Sequence, residues 1–173
     1  MTRRGRWMRR SVCLACAAGT LVGAAGVRAD SSGRAVSCDP SQLVVWLKSR
    51  GEPSAGSAWY TFGLTNLSRT RCTTRGYPGV SAVDRAGHQI GSAAARTKRS
   101  PLRAVSVDSG GSAQFLLQVS DPHFFLKAAC GPTTAAGLRI YLPGATTSTI
   151  VPAPVGACAN TGPAFLHVAA VTR

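Results

Sequence analysis

Trp59-Tyr60-Thr61-Phe62-Gly63-Leu64-Thr65 sets Tyr60, Phe62 and Leu64 two residues apart, with Trp59, Thr61 and Thr65 between them. Side chains of an extended strand point alternately to opposite faces, so this spacing predicts a strand with Tyr60, Phe62 and Leu64 turned to a core. Leu43-Val44-Val45-Trp46-Leu47 is a second compact β-type run, and Arg50 to Gly56, with its Pro and Gly residues, reads as a loop. Asn66 to Arg71 is a polar turn leading to Cys72.

The same grammar continues along the chain. Val80–Val83 and Gln89-Ile90 flank Asp84-Arg85-Ala86-Gly87-His88, a hairpin signal with Gly late in the turn. Val105–Val107 and Phe115–Val119 flank Asp108-Ser109-Gly110-Gly111-Ser112, which predicts a second hairpin. Leu138–Leu142 alternates and stops at Pro143-Gly144, and Thr149–Val151 and Phe165–Val168 complete the set. Asp121 to Ala129 can form a helical turn, with Asp121 as cap and Pro122 at its first position. Short strands separated by turn residues predict an all-β chain: one immunoglobulin-like antiparallel β-sandwich over residues 38–173, with no repeat and no second domain.

Residues 1–29 read differently. Five arginines precede Ser11, a 17-residue apolar run extends from Ser11 to Val27, and Val27-Arg28-Ala29 offers a small residue before Asp30. This is the pattern of a cleaved signal peptide; the run holds three glycines and two cysteines and falls short of the ~20 apolar residues a spanning helix needs. Arg9-Arg10 is read as ordinary leader charge in preference to a twin-arginine signal. Cleavage leaves 144 residues, with 30–37 a short flexible lead. The leader also takes six of the twenty Lys and Arg residues, leaving fourteen bases against six acids, a net of +8. That favours anionic surfaces by long-range attraction, while export argues against meeting DNA or RNA. The expected location is extracytoplasmic, secreted or loosely held at the cell envelope.

Six cysteines become four after cleavage: Cys38, Cys72, Cys130 and Cys158. An even number in an exported chain points to disulfides. Three pairings are open, and Cys38–Cys72 with Cys130–Cys158 is favoured because each ties a short neighbouring segment. Zinc sites use close cysteine pairs such as C-x-x-C, whereas the closest spacing among these four is Cys130 to Cys158, so no metal is expected.

Three segments carry a family resemblance: Cys72-Thr73-Thr74-Arg75-Gly76-Tyr77-Pro78-Gly79-Val80-Ser81; Cys130-Gly131-Pro132-Thr133 continuing to Leu138–Gly144; and Leu64-Thr65-Asn66 before Cys72. Together they resemble the secreted actinobacterial proteins grouped as domain of unknown function 4232, over about Cys38 to Cys158. Thr74 departs from the apolar residue expected there. The resemblance implies an exported, often envelope-associated β-sandwich with no assigned activity, and it carries over no catalytic residues.

Within Gly76-Tyr77-Pro78-Gly79, Pro presets φ and the Gly after it accepts positive φ, so Pro78-Gly79 is expected at the centre of a type II turn. Tyr77 would cover that turn, with contact to a ligand such as a sugar ring as the functional alternative. His88, His123 and His167 are far apart, with His88 expected at an exposed turn and His167 on the solvent face of a strand. The acids Asp30, Asp39, Glu52, Asp84, Asp108 and Asp121 are scattered over loops and turns. No G-x-S-x-G, H-E-x-x-H or P-loop motif is present, so neither catalysis nor a cofactor is expected. Asn66-Leu67-Ser68 is formally a glycosylation sequon, read here as a turn.

The strongest site-like feature is Arg96-Thr97-Lys98-Arg99 with Arg103 nearby, in a stretch from Arg85 to Val107 that contains no acid. Arg96, Lys98, Arg99 and Arg103 are candidate ligands for a phosphate or carboxylate polymer. The sequence therefore predicts a non-catalytic binding or accessory module. Its expected partner is an anionic cell-wall polymer or lipid surface, with an extracellular protein as the alternative and a hydrolase the least supported reading.

Overall fold

A computed structural model describes residues 36–173; the leader expected at 1–29 and nearly all of the lead expected at 30–37 lie outside them. In chain order the strands are β1 (Leu43–Ser54), β2 (Ser57–Asn66), β3 (Cys72–Thr74), β4 (Gly79–Val83), β5 (Gln89–Ile90), β6 (Ala95–Arg96), β7 (Val105–Val107), β8 (Ser112–Ser120), β9 (Pro132–Tyr141), β10 (Thr149–Cys158) and β11 (Leu166–Val168). Five of them form one sheet in the order β1-β2-β8-β11-β6, four form a second in the order β10-β9-β4-β5, and β3 pairs with β7. Every pair is antiparallel except β11 with β6.

The strand over residues 59–65 forms as its alternation dictates. Phe62 and Leu64 are fully buried and Tyr60 packs on the core from its margin. β8 repeats the pattern, burying Ala113, Phe115, Leu117 and Val119. Phe62 faces Phe115 across the β2–β8 ladder, with the rings stacked at 5.2 Å between centroids. Leu138 and Ile140 of β9 and Val151 and Val155 of β10 belong to the same core from the second sheet. Burying each such side chain contributes about 1.5–3 kcal/mol, which is what holds the two sheets together as a β-sandwich. Cys38–Cys72 and Cys130–Cys158 are bonded, spanning 34 and 28 residues. The parallel β6–β11 pair and the separate β3–β7 pair lie outside the plain two-sheet antiparallel plan of an immunoglobulin domain.

Three local expectations are corrected. Arg50–Ser54 is not a loop: β1 runs through it, with register irregularities between Leu47 and Ser49 and between Ser49 and Glu52, and Pro53 paired opposite Ala58. Pro is tolerated there because β1 is an edge strand. The link from Asp108 to Ser112 turns tightly, Gly111 N–H donating to the Asp108 carbonyl, yet β7 and β8 are not a hairpin. β7 pairs with β3, placing Val107 opposite Cys72, while β8 pairs with β2 and β11. Pro78-Gly79 is not the turn centre either: Gly79 opens β4 opposite Tyr141, and the positive φ falls at Gly76, at 142°. A Cβ on Gly76 would lie 2.9 Å from the Pro143 side chain, so both the conformation and the space there call for glycine.

The segment after β8 folds as two short turns. Asp121 caps a 3-10 turn over Pro122–Phe124 by accepting the His123 N–H, with Pro122 first, as its sequence predicts. The single helical turn α1 (Lys127–Cys130) follows and ends at Gly131 in the left-handed conformation, which delivers the chain to β9.

Candidate functional site

The face of the five-stranded sheet turned away from the core holds the most chemistry. Register alone sets one row of side chains across it: Glu52 opposite Trp59, Trp59 opposite Gln118, Gln118 opposite His167, and His167 opposite Ala95. Directly opposite residues share a face. β6 lies three strands from β2 in this sheet, roughly 14 Å at the usual strand spacing. Nevertheless the Arg99 guanidinium sits over the Trp59 ring, 4.2 Å from its centroid. The segment after Arg96 therefore runs across the outer face as a strap above the row. Its start is fixed by the Thr97 N–H donating to the Val168 carbonyl. His167, expected on the solvent face of a strand, is half-buried in this row, and its Nδ1 is buried without a hydrogen-bond partner.

The candidate cations do not form one cluster. Arg96 is paired opposite Val168, a core residue, so its side chain leaves the sheet edge on the inner side. It lies over the half-buried Tyr77, 5.5 Å from the ring centroid. Arg99 is on the outer side, against Trp59. Tyr77, expected to cover a turn, instead carries Arg96 on its ring, and the neighbouring Pro78 is buried. Arg96, Lys98, Arg99 and Arg103 are all exposed, and none is within salt-bridge distance of a carboxylate among the described residues. An arginine stacked on a ring keeps its N–H edges free for an anion.

Beyond the strap the face is pinned flat. Trp46, opposite Gly63, donates Nε1–H to Thr65 Oγ1 at 3.0 Å, and Thr65 Oγ1 is 2.9 Å from Ser112 Oγ. A Cβ on Gly63 would lie 2.4–2.7 Å from Trp46 ring atoms, so the indole lies directly on the glycine. Lys48 Nζ donates to Gln114 Oε1 at 2.9 Å on the same side. Trp46, Lys48 and Gln114 went unnoticed as site residues in the sequence; the available signal was the alternation of Leu43-Val44-Val45-Trp46, which turns Trp46 outward.

A cleft of about 520 Å³ at one end of the sandwich is lined by Tyr60, Ser57, Ser120, Asp121, His123 and Phe124, among others. His123 Nδ1 lies 2.8 Å from Asp121 Oδ1, an imidazole–carboxylate pair of the kind that orients a general base. The His123 N–H, and then its ring, hold the Asp121 carboxyl below the usual carboxylate range. Among the described residues no serine hydroxyl bonds that imidazole, however, and its side chain is 78% exposed. Ser57 Oγ instead accepts from Gln118 Nε2. His88, as expected, is an exposed turn residue beside Asp84.

Two sequence features resolve into structure. Asn66 of the sequon is 1% exposed. Its Nδ2 donates to the Thr70, Val107 and Asp108 carbonyls, and its Oδ1 accepts the Ser68 N–H. Thr74, the departure from the expected apolar residue, is buried in β3. Among the described residues no three His, Cys, Asp or Glu side chains gather as a metal site, and no helix is long and apolar enough to cross a membrane.

A family model described as "Domain of unknown function (DUF4232)" matches residues 38–172. No curated protein and no solved structure matches the chain.

Proposed function

The chain belongs to the DUF4232 family, and from that premise we propose that it is an exported, non-catalytic domain that binds anionic components of the cell envelope through its strap. Two disulfides suggest an oxidising, extracytoplasmic location, and processing at residues 1–29 would deliver the chain there. One observation carries the reading: four exposed cations follow one another from Arg96 to Arg103 without a carboxylate partner among the described residues. Cations left unneutralised attract a polyanion at long range, and salt screens that attraction.

The test is co-sedimentation of the full chain with envelope fragments over a salt series, beside a variant with Arg96, Lys98, Arg99 and Arg103 changed to Ala. Binding that falls with salt and with the substitutions is expected. Absence of binding at low salt refutes the reading.

A second reading is a protein-interaction module. Pairing with a partner strand is poorly served, because the long edge strands β1 and β10 carry Pro53, Pro152 and Pro154 and register irregularities. Phe124 and Leu126, 74% and 81% exposed, offer an apolar contact instead. Capture of one protein that resists salt and is lost with Phe124→Ser would favour this alternative.

A further inference from the structure

Trp46 adds to the outer face something a purely electrostatic site does not need. Its ring is pressed flat by Gly63 beneath it and tethered at Nε1 by Thr65, yet it remains 40% exposed. A pinned indole with one free face suits the C–H face of a sugar ring, whose positive edges meet the negative face of the aromatic system. Around it lie groups of the kind that hydrogen-bond sugar hydroxyls and carboxylates: Gln114, Ser112 and the Lys48 ammonium. Trp59 stands four residues from Gly63 on β2, roughly 13 Å along the strand, and carries Arg99 on its face. One flat surface thus presents an open stacking platform at one end and a cation on an aromatic ring at the other.

We propose that the ligand of this face is an anionic polysaccharide, stacked on Trp46 and held through its acidic groups by Lys48 and Arg99. The proposal rests on the reading of the strap as an anion site and names the polymer. A lipid surface would have no use for a pinned indole that lies flat in the sheet, and a sugar-free polyanion would gain nothing from it.

The probes are an oligogalacturonate, a neutral maltooligosaccharide, and a polyphosphate of matched charge. Binding is read by calorimetry and by tryptophan emission, with Trp7→Phe in every protein so that Trp46 and Trp59 are the emitters. The oligogalacturonate is expected to bind most tightly and to shift the emission. Trp46→Ala should weaken it about tenfold, the loss of one stacked ring, and leave polyphosphate binding within about twofold. Because Trp46→Ala uncovers Gly63, Lys48→Glu is run beside it; this exposed substitution should weaken the oligogalacturonate while far-UV circular dichroism stays unchanged. If Trp46→Ala and Lys48→Glu bind the oligogalacturonate like the parent, while the four-alanine strap variant loses both polyanions, the polysaccharide proposal falls and the strap reading stands. If neither polyanion binds the parent, both fall.

Discussion

Changing Asn66 to Asp keeps the side chain's size and shape and exchanges one NH2 for an oxygen. In the folded chain that NH2 donates to three carbonyls, Thr70 at 2.9 Å and Val107 and Asp108 at 3.2 Å. The substitution sets an acceptor against three acceptors at a site 1% exposed. At least two of the three carbonyls keep another donor: Thr70 accepts the Ser68 hydroxyl and Asp108 accepts the Gly111 N–H. The penalty is therefore less than three full losses, and Asn66→Ala is expected to cost about 2–4 kcal/mol. Asn66→Asp should cost more at neutral pH, where a carboxylate would be buried among carbonyl oxygens. Those surroundings raise its folded pKa above the unfolded value of about 3.9. The folded variant then holds its proton more tightly than the unfolded chain, so its deficit is small below about pH 4 and widens as pH rises. The native Asp39, Asp84 and Asp121 carboxyls, held low by hydrogen bonds from Ser41, His88 and His123, act in the opposite sense. Subtracting the parent's curve cancels them. Urea denaturation of parent, Ala and Asp chains at about pH 4 and about pH 7.5 supplies the comparison. An Asp variant within about 0.5 kcal/mol of the parent at both pH values, or a deficit that shrinks as pH rises, would refute a structural role for the Asn66 hydrogen bonds.

Gly91→Ala is expected to be among the most damaging single changes: φ is +64° and the new Cβ would sit 2.4 Å from the Cys158 carbonyl oxygen. A loss of more than about 2 kcal/mol in denaturant midpoint analysis checks it. Replacing Cys130 and Cys158 together by Ala opens a 28-residue separation and should cost about 3–4 kcal/mol on the chain-entropy account, seen as a lower urea midpoint without change in secondary structure. The Asp121 carboxyl, held low first by the His123 N–H and then by its side chain, should titrate below the usual carboxylate range by NMR. Its contribution to stability is present above the unfolded value and is lost as pH falls through the folded one, and Asp121→Asn should remove that part of the acid limb.

How far the chain could be read from sequence depends on the range of each interaction. β2 and β8 were legible because a half-buried strand writes a period of two into its own residues, and Phe62, Leu64, Phe115 and Leu117 obey it. The turn at Asp108–Ser112 was legible for the same local reason; the partner of β7 was not, because pairing Val107 with Cys72 is settled by packing 35 residues away. Arg50–Ser54 was misread because Pro and Gly mark loops, whereas an edge strand accepts them. Pro78-Gly79 was misread because the ladder to Tyr141 outweighed a local turn preference. At the site, the charge of the strap stood in plain view, but nothing local could reveal that Arg99 reaches Trp59 while Arg96 turns to Tyr77. That division follows from the alternation of faces beyond β6 together with the course of the strap.

The distribution of acids explains why the strap stays positive, and it yields a test of location that needs no loss of function. Asp39, Asp84 and Asp121 each accept a backbone N–H at a turn, and Asp108 pairs with Arg71. Four of the five described acids are thereby already engaged, three in shaping turns and one in pairing with an arginine. The fifth, Glu52, is exposed and stands opposite Trp59 in the row that Arg99 overlies. It is the described carboxylate that a polyanion on this face would meet. A like charge about 10 Å from a bound anionic group costs only about 0.4 kcal/mol in water, less with salt. Glu52→Gln should therefore tighten polyanion binding by up to about twofold at low salt, with the gain fading as salt rises. The direction is what discriminates, since most substitutions near a binding face weaken binding. If Glu52→Gln leaves affinity unchanged at low salt or reduces it, the polyanion does not lie across the Trp59–Arg99 row, and the binding face must be sought elsewhere on the sandwich.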